Sequence, residues 1–341
     1  MISFASDYVA GAHPTVLAKL IETNREPMGG YGDDPYSVSA KEKIKQSFSC
    51  PDADVVLLTG GTQTNQVAIS TYLQSYEGVI AARTGHISIH EAGAIEYTGH
   101  KVLEFDGENG KLPFSAVESY LRAFYADPTR EHQVRPGLIY LSFPTEYGTL
   151  YSKAELKAFH ELCAKYEMKL FLDGARLAYG LSSPQNDVLP DELQSLCDFF
   201  TVGGTKIGAL CGEAIVYPHH SIPPHMLSQV KQRGALLAKG RLVGVQFDAL
   251  FTDGLYFEIG RHGIEMAERI KQLFLDRGYK LFMDSPTNQQ FIILENKKME
   301  ELSKEVDFVW WDFYDETHTV VRFASGWSTD EEAIALLERI L

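Results

Sequence analysis

One lysine stands alone in an apolar, glycine-rich stretch of the chain. The segment "FFTVGGTKIGALCGE" places Lys206 between glycines, with no other cation nearby. Burying an unpaired ammonium group costs several kcal/mol, so a buried lysine needs an ion-pair partner or a chemical change that removes its charge. Lys206 is therefore either a surface lysine on a loop or a residue with a chemical role.

Three other segments place polar residues where a predicted strand ends. The segment "LLTGGTQTNQ" puts Gly61 and Thr62 at a helix N-terminus, where free N–H groups and the helix dipole attract a phosphate. The segment "FLDGARLAYG" puts Asp173 at a strand end with Arg176 three residues later, and "TGHISIHEAG" starts a helix at His86. Ligands of open α/β sheets bind beyond the carboxyl ends of the strands, so these residues are candidates for one site.

Each of these features also has an ordinary structural explanation. A Gly-Gly turn often precedes a helix without binding a ligand, and Asp173 could form a structural ion pair with Arg176. A histidine at a helix start is more often a cap or a satisfied core residue. Their combination is more specific than any one of them.

The combination matches the needs of pyridoxal phosphate. The helix N-terminus would take the phosphate, and the carboxylate of Asp173 would pair with the protonated pyridine nitrogen. Lys206, 33 residues further along the chain, would form an imine with the cofactor, which accounts for a lysine without a partner. The imidazole of His86 could stack on the ring.

Three other ligand sites fit the sequence poorly. A Walker loop needs lysine followed by Ser or Thr after a spaced glycine, whereas here Thr205 precedes Lys206. His86 and His90 stand four residues apart beside Glu91, but they form no H-E-x-x-H motif and lack a third ligand, so no metal is predicted. No G-x-G-x-x-G follows the first strand, which argues against a NAD-binding fold.

The segments that must position these residues alternate between strands and helices. Short apolar runs such as "DVVLL", "GVIAA" and "KLFLD" are followed by amphipathic stretches, which predicts an α/β fold with a mostly parallel sheet covered by helices. "HISIHEAGAIEYTG" is predicted to form one short helix. The last third reads as long helices followed by antiparallel strands, and a closing helix capped by Ser328 or Thr329. We expect a large domain over residues 1–245 and a small α+β domain over 246–341.

Charge and composition argue against a nucleic-acid-binding, membrane-bound or secreted protein. The chain has 341 residues and a net charge of −15, which argues against a nucleic-acid groove or an anionic membrane surface as partner. The N-terminal segment "MISFASDYVAGAHP" does not have the pattern of a signal peptide, and no window predicts a membrane span. The four cysteines are far apart in the chain, as expected for free thiols in a reducing compartment. A cytoplasmic location is predicted.

Seven segments spread over nearly the whole chain form a recognisable set: "FASDYVAG", "GGYGDDPYS", "LTGGTQTNQVA", "GHISIHEAGA", "FLDGARLAYG", "FTVGGTKIGA" and "VVRFASGW". Together, and in this order, they resemble a known family, the low-specificity L-threonine aldolases. This family belongs to the fold type I, β-eliminating-lyase-like group of pyridoxal phosphate enzymes. The resemblance implies a fold type I large domain with a seven-stranded sheet.

The resemblance implies roles for individual residues. Lys206 would be the Schiff-base lysine, Asp173 the partner of the pyridine nitrogen and His86 the stacking imidazole. Gly61 and Thr62 would hold the phosphate. The residues implied to lie at the substrate carboxylate are Ser6, Arg176 and Arg322, with Arg176 also near the cofactor's phenolic oxygen.

The resemblance also implies active sites shared between subunits. Arg233 and Arg241 lie in the segment "KQRGALLAKGRLVG", which reaches the cofactor phosphate, often that of a neighbouring subunit. Tyr31 is expected at the subunit boundary near the pocket. A homodimer or homotetramer is therefore expected.

Two segments depart from the family's pattern. Bacterial threonine aldolases commonly have an "NTHNG"-like segment whose histidine lies near the substrate hydroxyl, and here "PTEYG" places Glu146 at that position. The C-terminal "R-x-V-T-H" pattern appears as "RFASGW", which includes Trp327. Both changes fall near the expected substrate and not near the cofactor.

The implied reaction is retro-aldol cleavage of a β-hydroxy-L-amino acid to glycine and an aldehyde. The substrate would be threonine, allo-threonine or a bulkier analogue. His86 is predicted to take the β-hydroxyl proton, and Glu146 is the alternative. Two other functions remain open: β-elimination with Lys206 as the base at the α-proton, and a non-catalytic carrier or regulator that keeps the fold.

Overall fold

The computed structural model describes residues 2–341. Within these residues the chain forms thirteen strands and fourteen α-helices. The strands are β1 (Ile2–Ser3), β2 (Asp54–Leu58), β3 (Glu77–Ala82), β4 (Val102–Phe105), β5 (Arg135–Ser142), β6 (Lys169–Asp173), β7 (Phe199–Gly203), β8 (Glu213–Tyr217), β9 (Lys280–Met283), β10 (Gln289–Glu295), β11 (Val306–Asp307), β12 (Val309–Phe313) and β13 (His318–Ala324). The helices are α1 (Pro14–Thr23), α2 (Pro35–Ser47), α3 (Gly61–Tyr72), α4 (His86–Ile89), α5 (Ala94–Tyr97), α6 (Phe114–Ala126), α7 (Lys153–Lys165), α8 (Leu177–Ser182), α9 (Leu193–Leu196), α10 (Met226–Gln232), α11 (Arg241–Leu250), α12 (Leu255–Asp276), α13 (Asn296–Leu302) and α14 (Glu331–Ile340).

The large sheet contains seven strands in the order β2-β8-β7-β6-β5-β3-β4. Strand β8 is antiparallel to both of its neighbours, and all other pairs are parallel. Strands β2, β3, β5, β6 and β7 therefore point the same way, and their carboxyl ends lie at one edge of the sheet. The predicted α/β fold with a mostly parallel seven-stranded sheet is confirmed.

Helices cover both faces of this sheet. Along β8, Ala214 and Val216 belong to one hydrophobic core, while Ile215 and Tyr217 belong to the other. Helices α2, α7 and α11 contribute to the first core, and α3 and α10 to the second. Burial on both faces explains why these strands are continuous apolar runs in the sequence.

A second, antiparallel sheet with the order β12-β13-β10-β9 forms the C-terminal part of the chain. Helix α12 joins the two parts: Tyr256 and Ile259 pack in the core of the large sheet, and Ile270 and Phe274 in a separate core with the small sheet. The N-terminal strand β1 pairs with β11, and Phe4 joins the small core. The division at residue 245 stays a prediction.

Two local predictions were wrong. The segment expected to form one short helix is two helical turns, α4 and α5, interrupted where Ala92 and Gly93 adopt φ angles of 52° and 73°. The closing helix α14 is capped by Asp330, whose side chain accepts the N–H of Ala333. The Thr329 hydroxyl accepts the N–H of Gly326 instead. Nowhere in residues 2–341 is a helix both long and apolar enough to cross a bilayer.

Candidate active site

The carboxyl edge of the large sheet brings the predicted residues together. Asp173 is the last residue of β6, and Lys206 follows the end of β7 by three residues. Gly61 and His86 are the first residues of α3 and α4, which follow β2 and β3. A cavity of about 350 Å³ opens at this edge. Six residues that line it are His86, Glu146, Arg176, Lys206, Trp311 and Arg322.

Lys206 lies on a short 3-10 turn, Thr205–Ile207, which ends at Gly208 with a φ of 87°. A Cβ atom at Gly208 would lie 2.8 Å from the side chain of His13, so this turn requires glycine for both its backbone angle and its space. The hydroxyl of Tyr179 donates to the backbone oxygen of Lys206 at 2.8 Å. Burial, together with the charge of Arg176, lowers the pKa of Lys206 and favours the uncharged, nucleophilic amine.

Four hydrogen bonds hold the carboxylate of Asp173. Tyr140 and Asn65 donate to Oδ2 at 2.6 and 3.0 Å, and the N–H of Ala175 donates to Oδ1 at 2.9 Å. The fourth comes from a threonine hydroxyl at 3.3 Å. Burial acts to raise the pKa of Asp173, but the bond from Tyr140 and the charge of His86 outweigh it and hold that pKa below its usual value. The buried group is therefore a carboxylate at neutral pH.

A buried network connects His86 to the same carboxylate. The Nδ1 atom of His86 lies 2.7 Å from Oε1 of Glu91, whose side chain is fully buried. Asn65 donates to that oxygen at 2.7 Å and also to Asp173. Asn65 thus links the imidazole and the strand-end acid, and Glu91 fixes the orientation of the ring.

Glu146 lies beside His86 on the cavity wall. Its Oε1 atom accepts the backbone N–H of His86 at 2.9 Å and the hydroxyl of Ser142 at 2.7 Å. Its Oε2 atom is buried and meets no hydrogen-bond donor among the described residues. Burial raises the pKa of Glu146, and the bond from Ser142 and the charge of His86 offset this only in part.

Two guanidinium groups lie in the same cavity and are held differently. Arg176 forms a two-point ion pair with Asp7 at 2.7 and 3.1 Å, and Asn288 donates to the same carboxylate. Arg322 lies over the ring of Trp311, with 5.2 Å between the guanidinium carbon and the ring centre. Burial and the nearby Arg176 lower the pKa of Arg322 to about 10, so both groups are cations at neutral pH and can hold a carboxylate.

The N-terminus of α3 is suited to an anion. Gly60 precedes this helix of 12 residues and provides no side-chain cap for its first N–H groups. A Cβ atom added at Gly60 or Gly61 would meet no atom within 4 Å, so the space beside the first turn is open. The main-chain donors of Gly61 and Thr62 can therefore approach a phosphate.

The three residues predicted to act at subunit boundaries do not line the cavity of Lys206. The guanidinium of Arg241 donates to the backbone oxygens of Thr23 and Glu26, at the end of α1. Arg233 donates to the side chain of Gln229 at 2.6 Å and lines a separate pocket. The ring of Tyr31 lies at the surface, 51% exposed. Their roles at a neighbouring subunit stay predictions.

Three aromatic residues in or beside the segments "PTEYG" and "RFASGW" do not line the cavity. Phe143 is fully buried, Trp327 packs against His13, and Tyr147 packs against Phe291. Ser6 is buried beside Asp7, to which its hydroxyl donates at 3.3 Å. Two other aromatic side chains do line the cavity: Trp311, from the small sheet, and Tyr8.

Comparison with known proteins assigns the chain to a family. Residues 3–295 match the family described as beta-eliminating lyase. The chain belongs to the beta-eliminating lyase family.

Relatives of this chain include named aldolases. The low specificity L-threonine aldolase of Pseudomonas aeruginosa is 29% identical over 344 residues, which cover 98% of this chain and 96% of the relative. A solved structure of a threonine aldolase from Leishmania major is 40% identical, with a TM-score of 0.95 and coverage of 100% of this chain and 98% of the other. The histidinol-phosphate aminotransferase of Clostridium acetobutylicum is 16% identical, with a TM-score of 0.75 and coverage of 100% and 98%. The chain thus has fold type I of the pyridoxal phosphate enzymes, as predicted.

Several polar residues of the site were not predicted from the sequence, among them Asp7, Asn65, Glu91 and Glu213. Asp7 and Asn65 have no local motif, because their partners lie far away in the chain. Glu91 lies only five residues after its partner His86, so its position in the segment "TGHISIHEAG" was a visible signal. Glu213 carries a visible signal, since it is an acid at the start of the buried run "EAIVY" and lies in the segment of Lys206. Burial raises its pKa to about 8, although the charge of Lys206 acts to lower it.

Proposed function

We propose that this protein is a pyridoxal phosphate-dependent lyase that cleaves a β-hydroxy-L-amino acid to glycine and an aldehyde. One observation carries the proposal: a buried amine, Lys206, shares a cavity with two guanidinium groups, Arg176 and Arg322, at the strand edge where Asp173 ends. The names of the Pseudomonas and Leishmania relatives, both threonine aldolases, support the same substrate class. Threonine, allo-threonine and bulkier analogues are all candidates.

The residues present fit the proposed cofactor. Lys206 offers an amine whose lowered pKa favours the nucleophilic form, to which the cofactor's aldehyde would be joined. Asp173 offers a buried carboxylate with a lowered pKa, as a protonated pyridine nitrogen requires. Gly61 and Thr62 offer main-chain donors beside open space for the phosphate.

Substrate orientation would come from the arginines. When bound, pyridoxal phosphate supplies an electron sink for the pair of electrons released when a bond at Cα breaks. Arg176 and Arg322, with Ser6, would hold the substrate carboxylate and so fix which Cα bond faces that sink. His86 lies on the cavity wall with its orientation fixed by Glu91, and would contact the cofactor ring.

A second candidate reaction uses the same groups. The family's description as beta-eliminating lyase favours β-elimination, in which a substituent leaves Cβ and ammonia and an oxoacid are the products. Lys206 would then take the α-proton as base. Release of aldehyde or of ammonia distinguishes the two reactions.

Assembly and location belong to the same proposal. An apolar groove of about 230 Å³ between β2, α10 and α11 includes Tyr31 and Leu227, and Leu227 is 64% exposed. Such exposed apolar surface supports association of two or four copies, with Arg233 and Arg241 acting at subunit boundaries. The cytoplasmic location predicted from the sequence is kept as part of this proposal.

The test is aldehyde release by the purified protein loaded with pyridoxal phosphate. L-Threonine, L-allo-threonine and β-phenylserine are compared, and ammonia is measured in the same samples. Lys206→Ala should lose aldehyde release and the imine absorbance together, because no other amine can replace it at the cavity. Exposed Lys304→Ala is the matched control and should behave as the wild type. Full turnover by Lys206→Ala contradicts the proposal, and ammonia without aldehyde selects β-elimination.

A further inference from the structure

Three buried polar atoms of cavity-lining residues have no hydrogen-bond partner within the part of the chain that the structure describes. They are Oε2 of Glu146, Nε2 of Gln289 and Nε of Arg322. Buried polar atoms are nearly always paired in folded proteins, so unpaired ones in a cavity indicate what a ligand must supply. Here the cavity lacks a partner for one acceptor and for two donors.

This set is complementary to a β-hydroxy amino acid. The substrate carboxylate accepts hydrogen bonds and matches the two donors, Gln289 and Arg322, which lie side by side and are joined by a 3.0 Å bond between Oε1 of Gln289 and Nη1 of Arg322. The β-hydroxyl donates its proton and matches the one acceptor, Glu146. An amino acid without a β-hydroxyl would leave this oxygen unpaired.

The other candidate for the hydroxyl proton is His86. Its Nδ1 atom is held by Glu91 at 2.7 Å, which fixes the ring, and its backbone N–H donates to Glu146 at 2.9 Å. A ring that lies against the cofactor presents its face there, not a nitrogen lone pair. The Oε1 atom of Glu146 already accepts the backbone N–H of His86 and the hydroxyl of Ser142, whereas its Oε2 atom can still accept a hydrogen bond.

We infer that Glu146 is the catalytic base of the reaction, and that its Oε2 atom takes the proton of the substrate's β-hydroxyl. This inference rests on the proposed function and specifies the residue that sequence comparison could not decide. The O–H bond breaks as the proton moves to Oε2, and the electron pair left on oxygen forms the C=O bond of the aldehyde. The Cα–Cβ bond breaks in the same step and leaves its electron pair on the glycine fragment, for which the bound cofactor would supply the electron sink. A proton from solvent, added at Cα, completes glycine. Glu146 returns to the carboxylate by losing its proton to solvent once the aldehyde has left.

Burial of Glu146 is consistent with this role. Burial raises the pKa of its carboxyl group, while Ser142 and His86 lower it, and a base is most effective when its pKa lies near the working pH. Glu146 interacts electrostatically with six titratable or charged groups, which are His86, Asp173, Arg176, Tyr140, Tyr147 and Tyr151.

The experiment compares Glu146→Gln, Glu146→Asp and the exposed control Glu301→Gln as cofactor-loaded proteins. Three quantities are measured for each protein: aldehyde release from the β-hydroxy substrate, exchange of a glycine α-hydrogen for deuterium in heavy water, and cofactor affinity from its absorbance. Exchange on glycine needs Lys206 and the cofactor but has no β-hydroxyl. It therefore reports on the site without the step assigned to Glu146.

The expected result is a selective loss. Glu146→Gln should lower aldehyde release by about 100-fold or more, the usual contribution of a general base, while glycine exchange and cofactor affinity stay within a few-fold of wild type. Glu146→Asp should keep part of the aldehyde release, and Glu301→Gln all of it. Aldehyde release by Glu146→Gln within a few-fold of wild type overturns the inference. A parallel loss of exchange and release overturns it too, since Glu146 would then act on the cofactor site as a whole.

A second variant decides if Glu146→Gln does not fold. Ser142→Ala keeps the carboxyl group but removes a hydrogen bond that lowers its pKa, so the rising limb of the rate-against-pH curve should move to higher pH. An unmoved curve overturns the inference. Failure of the proposed function has a different signature, because wild type would then release no aldehyde from any of the three substrates.

The pH dependence of stability measures the ionisation of Glu146 without catalysis. Because its pKa is raised in the folded state, stability present below the unfolded pKa is lost as the pH rises through the folded value. Cofactor-free wild type should therefore lose stability relative to Glu146→Gln as the pH rises. If the difference in unfolding free energy between wild type and Glu146→Gln stayed constant with pH, the pKa of Glu146 would not be raised in the folded state, which would count against its role as the base.

Discussion

Substitution of Glu213 by Gln tests the buried acid beside the proposed cofactor lysine. Glu213 is 4% exposed and begins β8, where it pairs with Leu58 on one side and Gly203 on the other. Burial raises its pKa from 4.5 to about 8, against the opposing charge of Lys206. Gln has nearly the same size but cannot ionise, so the substitution removes the titration and keeps the packing.

The magnitude follows from the two pKa values. Because the folded-state pKa is the higher one, the contribution of Glu213 to stability is fully present below pH 4.5 and is lost as the pH rises towards 8. From pH 4.5 to pH 7 the unfolded chain releases this proton and the folded one largely keeps it. At about 1.4 kcal/mol per pH unit, the folded state loses about 3 kcal/mol over this range.

Urea unfolding of the cofactor-free protein measures this effect. Wild type and Glu213→Gln are unfolded at matched pH from 4.5 to 8, so that titrations shared by both proteins cancel in the difference. Glu213→Gln should become progressively more stable than wild type as the pH rises, and by about 3 kcal/mol at pH 7 relative to pH 4.5. Infrared spectra should show a protonated carboxyl group in folded wild type at pH 6 that the variant lacks.

A constant difference between the two proteins over this pH range would refute the reasoning. It would mean that Glu213 is ionised in the folded state and paired with a charged Lys206. Glu301→Gln, at an exposed position, is the matched control for the loss of a carboxyl group.

Two further predictions concern the arginines of the site. Asp7→Asn removes the charge paired with buried Arg176, so the free energy of unfolding should fall by about 3 kcal/mol in urea titrations at pH 7; an unchanged urea midpoint would contradict this. Trp311→Leu removes the ring under Arg322, so the KM for the amino acid should rise by about fivefold, as expected for the loss of about 1 kcal/mol of cation–π interaction. Steady-state aldehyde kinetics measure this, and a KM equal to that of wild type would show that the ring does not position Arg322.

Local sequence patterns predicted the large sheet and several of the residues at its edge. The alternation of apolar runs with amphipathic stretches specifies parallel strands with helices between them, and it places Asp173 and Lys206 at strand ends. These predictions succeeded because strand direction and the position of a turn depend on neighbouring residues. Glycines around Lys206 mark a turn that side chains would obstruct, and this too is a local property.

The helix predicted between β3 and β4 was wrong, because its apolar spacing does not show where the helix is interrupted. Its apolar spacing is helical, but Gly93 and the left-handed Ala92 divide it into two turns. The interruption lies directly after Glu91, whose carboxylate reaches back to Nδ1 of His86. Tertiary hydrogen bonds to Glu91, including the one from Asn65, accompany this local break in the helix.

The sequence by itself determined the order of strands and helices, the type of each residue at the sheet edge and the isolation of Lys206. Only the tertiary structure decided which partners bind the residues at the sheet edge. Asp7 pairs with Arg176, 169 positions away in the chain, and Asn65 donates to Asp173, 108 positions away. The strand order β2-β8-β7-β6-β5-β3-β4 makes neighbours of segments that are distant in the chain. Hydrogen bonds and burial at the site, and the pKa values that follow from them, depend on those neighbours, so no local pattern could specify them.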